Sequence, residues 1–215
     1  MTQRNGVTKR SRSSAALCAL ALAAVAGCAA EPIGVNDDSL KGTRFIRYTL
    51  RGEKAGTYTQ AWRSNYLSQP AFREVGSKVE IDFYSNQYVG LNFNGIRARV
   101  YSRDEPYHTD PESIKAFVDK HFVASPEDLK LEALEKTIRD QVKRGQALIG
   151  MPKEQVLMAL GYPSHVDDYV QAASLTRDQI LSSNVWIYRY SEIMMFTTWH
   201  RYTFDNDGKL AERIP

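Results

Sequence analysis

Four histidines and two cysteines are the side chains of this 215-residue sequence best suited to metal binding, proton transfer or nucleophilic attack. His108, His121, His165 and His200 form no H-E-x-x-H or H-x-H pair, so local spacing sets no two of them on one face. His165 with Asp167 and Asp168 has the composition of a metal site, yet a solvated turn behind Pro163 accounts for the same residues more simply. His121 falls on the apolar side of a helical period and reads as a satisfied boundary residue. His200 shares strand parity with Phe196, Tyr202 and Phe204, which puts it half buried beside rings with no acid–base partner in view. No G-x-S-x-G, phosphate-loop or G-x-G-x-x-G run is present. The sequence therefore reads as a non-enzyme, with no cofactor and no metal.

The cysteines point to lipid chemistry instead. Met1 to Ser14 is polar and basic, and Ala15 to Ala26 is an uninterrupted apolar run ending at Gly27-Cys28. Twelve residues span only about 18 Å as a helix, short of the roughly 30 Å hydrocarbon core, so residues 1–27 read as a signal peptide and not a membrane span. Val25-Ala26-Gly27-Cys28 resembles a bacterial lipobox, which implies that Cys28 becomes the first mature residue with a diacylglyceryl thioether and an acylated amine. The alternative is an ordinary secretory signal with a chance cysteine. Cys18 leaves with the leader, and a lipidated Cys28 leaves no thiol for a disulfide or a metal. Several acyl chains anchor stably. Ala29 stands where an Asp would mark inner-membrane retention, so the resemblance implies the outer membrane, with the chain facing the periplasm.

Charge excludes another class of partner. The whole chain carries 28 basic against 25 acidic residues, but four of the bases lie in the first 27 residues, which contain no acid. Without that leader the charge is nearly balanced, and nothing in it points to nucleic acid. The composition, 43% hydrophobic and 25% charged, is that of a globular protein.

The elements that must hold any site follow from periodicity. Residues 28–40 read as a lipidated tether. From 41 to 105 the pattern is β: Val79, Ile81 and Phe83, then Val89, Leu91 and Phe93, then Ile96, Ala98 and Val100 alternate with polar residues, and Asn94-Gly95 is a type I′ hairpin signal. Phe45 to Leu50 and Tyr58 to Trp62 are weaker strands. About five short strands suggest a small, SH3-like all-β domain. From 110 to 215 the period changes. Asp110-Pro111 starts a helix with Ile114, Phe117, Val118, His121 and Phe122 on one face. Ser125-Pro126 starts a longer helix with a Leu131, Leu134, Ile138 and Val142 stripe, supported by Glu132–Lys136 and Glu135–Arg139 pairs and stopped by Gly145. A third starts at Pro152 and ends at Gly161. Strands follow at 185–190, 196–204 and 210–214, the last two joined by an Asp205–Gly208 turn.

The richest remaining surface signal is aromatic. Trp186, Tyr188 and Tyr190 share one strand parity, and Met194, Met195, Phe196 and Trp199 follow closely. Core packing accounts for about half of them; the remainder, with Tyr162, are of the types favoured in recognition surfaces. The candidate protein-contact residues are therefore Tyr162, Trp186, Tyr188, Tyr190 and Trp199. Arg97, Arg99 and Arg103 could meet lipid headgroups or an acidic partner, although alternation alone puts the first two on a solvated face.

Gly150-Met151-Pro152-Lys153-Glu154-Gln155-Val156 running to Leu160-Gly161-Tyr162-Pro163, with Trp186-Ile187-Tyr188 and Phe204 to Leu210, resembles the SmpA/OmlA (BamE-like) lipoprotein family over about residues 145–214. The resemblance implies a helix pair on a three-stranded antiparallel sheet, hence an α+β chain, and a domain that binds other proteins. The β region ahead of the motif and the long segment Asp167 to Ser183 depart from the family pattern. The expected function is that of an outer-membrane lipoprotein acting as a non-catalytic protein-binding or assembly module with an envelope protein as partner. The alternatives are a cell-wall (peptidoglycan) binder through the β domain, or an inhibitor of an envelope enzyme through the Asp167 to Ser183 loop.

Overall fold

The computed structural model describes residues 40–62, 67–84, 88–101, 111–167, 169–193 and 196–215. The chain divides into two units, Met1–Ala30 and Glu31–Pro215, and all described residues belong to the second. Cys28, Cys18, the leader, the tether to Ser39, Arg103, His108, Asp110 and Asp168 lie outside the described residues. Among the described residues no helix is long and apolar enough to cross a membrane.

Alternation of small and branched apolar residues with polar ones builds a first sheet. It comprises β1 (Gly42–Ile46), β2 (Leu50–Ala55), β3 (Tyr58–Trp62), β4 (Ala71–Arg73), β5 (Lys78–Tyr84), β6 (Tyr88–Phe93), β7 (Ile96–Tyr101) and β8 (Phe122–Val123). Its order is β4-β2-β3-β7-β6-β5-β1-β8, antiparallel except where β3 runs parallel to β7. Val79, Ile81, Val89, Leu91, Phe93, Ala98 and Val100 point to the core, as period two requires. The β6–β7 turn has positive φ at both Asn94 (53°) and Gly95 (91°), and the Gly95 amide donates to Asn92 Oδ1 at 2.7 Å. That is the geometry a type I′ hairpin needs.

Helix α1 (Pro111–His121) buries Ile114, Phe117, Val118 and His121, then runs directly into β8. β8 pairs with β1, Ile46 opposite Phe122, so residues from beyond the β region complete the first sheet. The Arg47 amide donates to the His121 carbonyl at 3.0 Å, reinforcing that edge.

The single long helix expected after Ser125 is broken. Ser125 and Asp128 form a capping box over a 3₁₀ turn, Pro126–Leu129, but Lys130 adopts a left-handed conformation (φ 52°) before a second turn, Leu131–Ala133. Only Lys136–Lys143 is α-helical (α2). The break moves the ion pairs: Lys136 meets Asp140 at 2.9 Å, and Arg139 meets Glu132. Breaking the helix there lets both Leu129 and Leu131 reach the core.

Helix α3 (Lys153–Leu160) buries Val156, Leu157, Ala159 and Leu160. Pro152 precedes it as N-cap, and Gly161 ends it at φ 79°, ψ −167°, a region open essentially to glycine alone. The second sheet comprises β9 (His165–Val166), β10 (Val170–Gln171), β11 (Val185–Ile193), β12 (Phe196–Phe204) and β13 (Leu210–Ile214), in the order β10-β9-β11-β12-β13. Asp167 to Ser183 is folded: after β10 come a 3₁₀ turn, Ala172–Ser174, and α4 (Arg177–Ser182), which is capped by a Thr176–Gln179 box.

The expected α+β architecture, a small SH3-like domain followed by helices on three strands, does not hold. The described residues are mainly β, with an eight-stranded and a five-stranded sheet and four short helices among them. The strand expected over Phe45 to Leu50 is instead the end of β1 and the start of β2 with a bend at 47–49 between them, and the remaining extra strands are β4, β8, β9 and β10, each two or three residues long. That is too short to show any alternation, so periodicity passes over them.

One apolar cluster runs from Leu40 to Leu210 and draws on both sheets. Thr49, between β1 and β2, ties the first sheet to α3 and α2: its amide donates to the Met158 carbonyl and its hydroxyl to the Val142 carbonyl, each at 2.9 Å. Beside it Arg51 donates to the carbonyls of Gln69 (2.8 Å) and Gly145 (2.7 Å). Burial holds the Arg51 pKa below its ordinary value, partly offset by Tyr202 and Tyr190. These hydrogen bonds satisfy loop carbonyls that the packing of α2, α3 and β2 removes from water.

Candidate functional site

Of the five candidate contact residues, three belong to the core. Trp186 and Tyr188 are fully buried and Tyr162 nearly so. Each polar tip has a backbone carbonyl to donate to: Trp186 Nε1 to Ile180 at 3.0 Å, Tyr188 hydroxyl to Gly161 at 2.8 Å, and Tyr162 hydroxyl to Lys120 at 2.9 Å. Burial, then Tyr202 and Tyr162, push the Tyr188 phenol well above its usual range. These rings tie α4 and the end of α3 to β11 and the segment after α3 to α1, and burying each contributes roughly 1.5–3 kcal/mol or more. The motif around Gly161 and Tyr162 thus serves packing.

Tyr190 and Trp199 remain at the surface, and they lie on opposite faces of the second sheet. A strict hairpin register would set them opposite one another. Instead the pairing shifts between Arg189 and Ser191, so Arg189 faces Trp199 and Tyr188 faces His200. The bulge thereby re-aims every side chain beyond it. Its carbonyls are also used: Arg189 accepts from the Leu67 amide at 3.2 Å and Tyr190 from the Ser68 amide at 2.8 Å.

On the inward face Tyr190 is stacked on His200, ring centroids 4.3 Å apart. His200 is buried, and burial, followed by the charge of Arg213, lowers its pKa. His121, also buried, stacks on Phe117 at 4.2 Å, with its Nδ1 at 2.8 Å from the Phe117 carbonyl. Both histidines are framework groups.

The outward face carries a row of rings and a cation. The Arg189 guanidinium lies 5.2 Å from the Trp199 ring, His165 meets the same ring edge-on at 5.2 Å, and Tyr169 lies 6.0 Å from His165. Tyr169 is 67% exposed, and Val170 beside it is also exposed. β9 and β10 create this row: Val166 pairs with Trp186, which turns His165 outward beside Ile187, and Tyr169, at φ 64°, forms the tip of the β9–β10 connection. Sequence reading missed Arg189 and Tyr169 and left His165 in a solvated turn, because no pattern showed β9 or the bulge. The only available signal was Asp167, whose carboxylate accepts from the Val185 amide at 3.1 Å and so pins this turn to β11. Tyr, Trp, His and Arg in one partly exposed row can stack on and hydrogen-bond to a partner's side chains. Among the described residues no group of His, Cys, Asp and Glu side chains is arranged to hold a metal ion.

Comparison of the chain with family models, curated proteins and solved structures yields no match.

Proposed function

We propose that this chain is a lipid-anchored, non-catalytic binding module of the bacterial envelope, held at the outer membrane through Cys28 and presenting the Tyr169–His165–Trp199–Arg189 row to a protein partner. The observation that carries the reading is the exposed Tyr169 ring at the head of that row. Large rings beside an arginine are the side chains enriched at interface hot spots, whereas a tip with no binding role is ordinarily small and polar. The lipobox-like Val25 to Cys28 sequence supports the anchor. The likeness of Gly150 to Pro163 to BamE-like lipoproteins supports an assembly or scaffolding role. Anchoring confines partner and module to one surface and raises their effective concentration, so a modest interface suffices.

The test is a photo-reactive residue placed at Tyr169 in the full-length protein in intact cells, with the exposed Glu53 on β2 as the control position. A discrete cross-linked protein from position 169 and none from position 53 is the expected outcome. Identical patterns from both positions would refute the proposed surface.

A further inference from the structure

We propose that the outward face of β3, β5, β6 and β7 binds an acidic saccharide, a sugar ring bearing a carboxylate. This site lies on the other sheet from the protein-contact row and stands independently of it.

The alternation that sends Val89, Leu91, Ala98 and Val100 to the core sends Tyr58, Tyr88, Arg97, Arg99 and Tyr101 outward. All of these outward residues but Tyr101 line a groove of about 370 Å³ whose lining also includes Asp82, Phe83 and Gly90. Gly90 forms the depression. It sits between Arg99 and Phe83 in register, and a Cβ there would come within 3.0 Å of the Phe83 Cβ and 3.1 Å of an Asp82 carboxylate oxygen. The β5 register shifts between Ile81 and Phe83, which brings Asp82 to the groove's rim.

Arg99 is held for recognition. Its guanidinium lies 4.2 Å from the Tyr58 ring and 4.6 Å from the Tyr88 ring, one on each neighbouring strand. Rings on the two neighbouring strands flank the guanidinium and the Tyr101 hydroxyl shares a side-chain hydrogen bond with it, which holds the group in place with further N–H donors to offer a ligand. Arg97 adds a second positive charge on the same groove, and neither arginine has a carboxylate partner among the described ion pairs. Phe83, 38% exposed, offers an open ring beside Tyr88 at 5.7 Å.

Chemistry selects the ligand class. Two arginines against one aspartate favour a singly charged anion, and Asp82 disfavours a polyanion while accepting from a hydroxyl or amide N–H. All four strands are interior, hydrogen-bonded on both sides. An extended peptide therefore finds no free ladder to join. A compact ligand that stacks an apolar face on a ring and brings its own hydroxyls and carboxylate fits. The larger concavity, about 490 Å³, offers no ring, and its charges are mixed, with Lys143 already 3.8 Å from Glu74.

The experiment is calorimetric titration of the folded chain with N-acetylmuramic acid, with N-acetylglucosamine as the matched sugar lacking the carboxylate, and with a Glu-rich peptide. The carboxylated sugar should bind about tenfold or more tightly than the neutral one. Phe83→Ala, and Arg99→Lys, which keeps the charge but loses the planar fork, should each weaken it about tenfold while leaving the melting temperature within a few degrees. No binding at millimolar sugar, equal affinity for the neutral sugar, or peptide binding that outcompetes the sugar would each overturn the proposal. Cross-linking from Tyr169 should be unchanged in Arg99→Lys, which separates failure here from failure of the protein-contact reading.

Discussion

The ring of Tyr190 lies parallel to that of His200, with centroids 4.3 Å apart and planes 9° from parallel. Stacking covers the imidazole, and burial, then Arg213, depress its pKa below 6.5. The unfolded chain therefore binds this proton more readily than the folded one. The resulting stability is present above about pH 6.5 and is lost as pH falls through the folded pKa. Thermal melts of the soluble chain should show the melting temperature falling below pH 6.5, and His200→Phe, which keeps a ring on Tyr190, should reduce that slope. An unchanged slope would remove His200 from the account.

Thr49→Val should destabilise the chain by about 1–3 kcal/mol. The substitution keeps the shape but strands the Val75 amide, which donates to the Thr49 hydroxyl at 3.4 Å, and removes the hydroxyl's 2.9 Å bond to the Val142 carbonyl, which still accepts from the Gly145 amide at 3.0 Å. A urea titration would show this as a lower midpoint with an unchanged slope.

Two glycines with positive φ should respond differently to alanine. At Gly145 (φ 71°) a Cβ would lie 2.9 Å from Arg51 Nη2 and 3.0 Å from Thr49 Cγ2, whereas at Gly150 (φ 88°) nothing lies within 4 Å. Gly150→Ala bears only the backbone penalty, about 1–2 kcal/mol; Gly145→Ala adds displacement of Arg51 from its carbonyls. Equal unfolding free energies for the two variants would refute this packing of Arg51.

Tyr169→Ala should leave stability within about 0.5 kcal/mol, because the ring is mostly exposed. If the outward row is an interface, the same change should weaken partner capture by about 1–3 kcal/mol, or roughly 5- to 150-fold. A urea titration measures the first arm, and pull-down from cross-linked envelopes at graded salt concentrations measures the second.

If Cys28 carries the proposed acyl chains, Cys28→Ser should move the protein from the membrane to the soluble fraction. A variant that still sediments with membranes would end the anchored reading.

Long, regular elements were legible in the sequence. β5 to β7, the Asn94-Gly95 turn, α1, α3 and the β11 to β13 strands all follow the expected spacing. The misreadings have local physical causes. Lys130 in a left-handed conformation broke a helix whose apolar stripe looked continuous, because tertiary packing of Leu129 and Leu131 outweighed helical period. The bulge at Arg189 separated Tyr190 from Trp199, and a one-residue shift leaves no mark in composition. Trp186, Tyr188 and Tyr162 looked like recognition residues because the same amphipathic rings also serve wherever a buried carbonyl needs a donor. Arg97 and Arg99 were legible as a cluster, but the Tyr58 and Tyr88 rings that flank Arg99 were not, because they come from two neighbouring strands, one of them parallel to β7.

β1 begins two residues after Leu40 and is paired on both sides, with β5 and with β8. Tension transmitted through Leu40 would load that strand first, and both ladders would have to yield together. Since β8 is supplied by the end of α1, a pull from the amino-terminal side meets resistance from chain some eighty residues away.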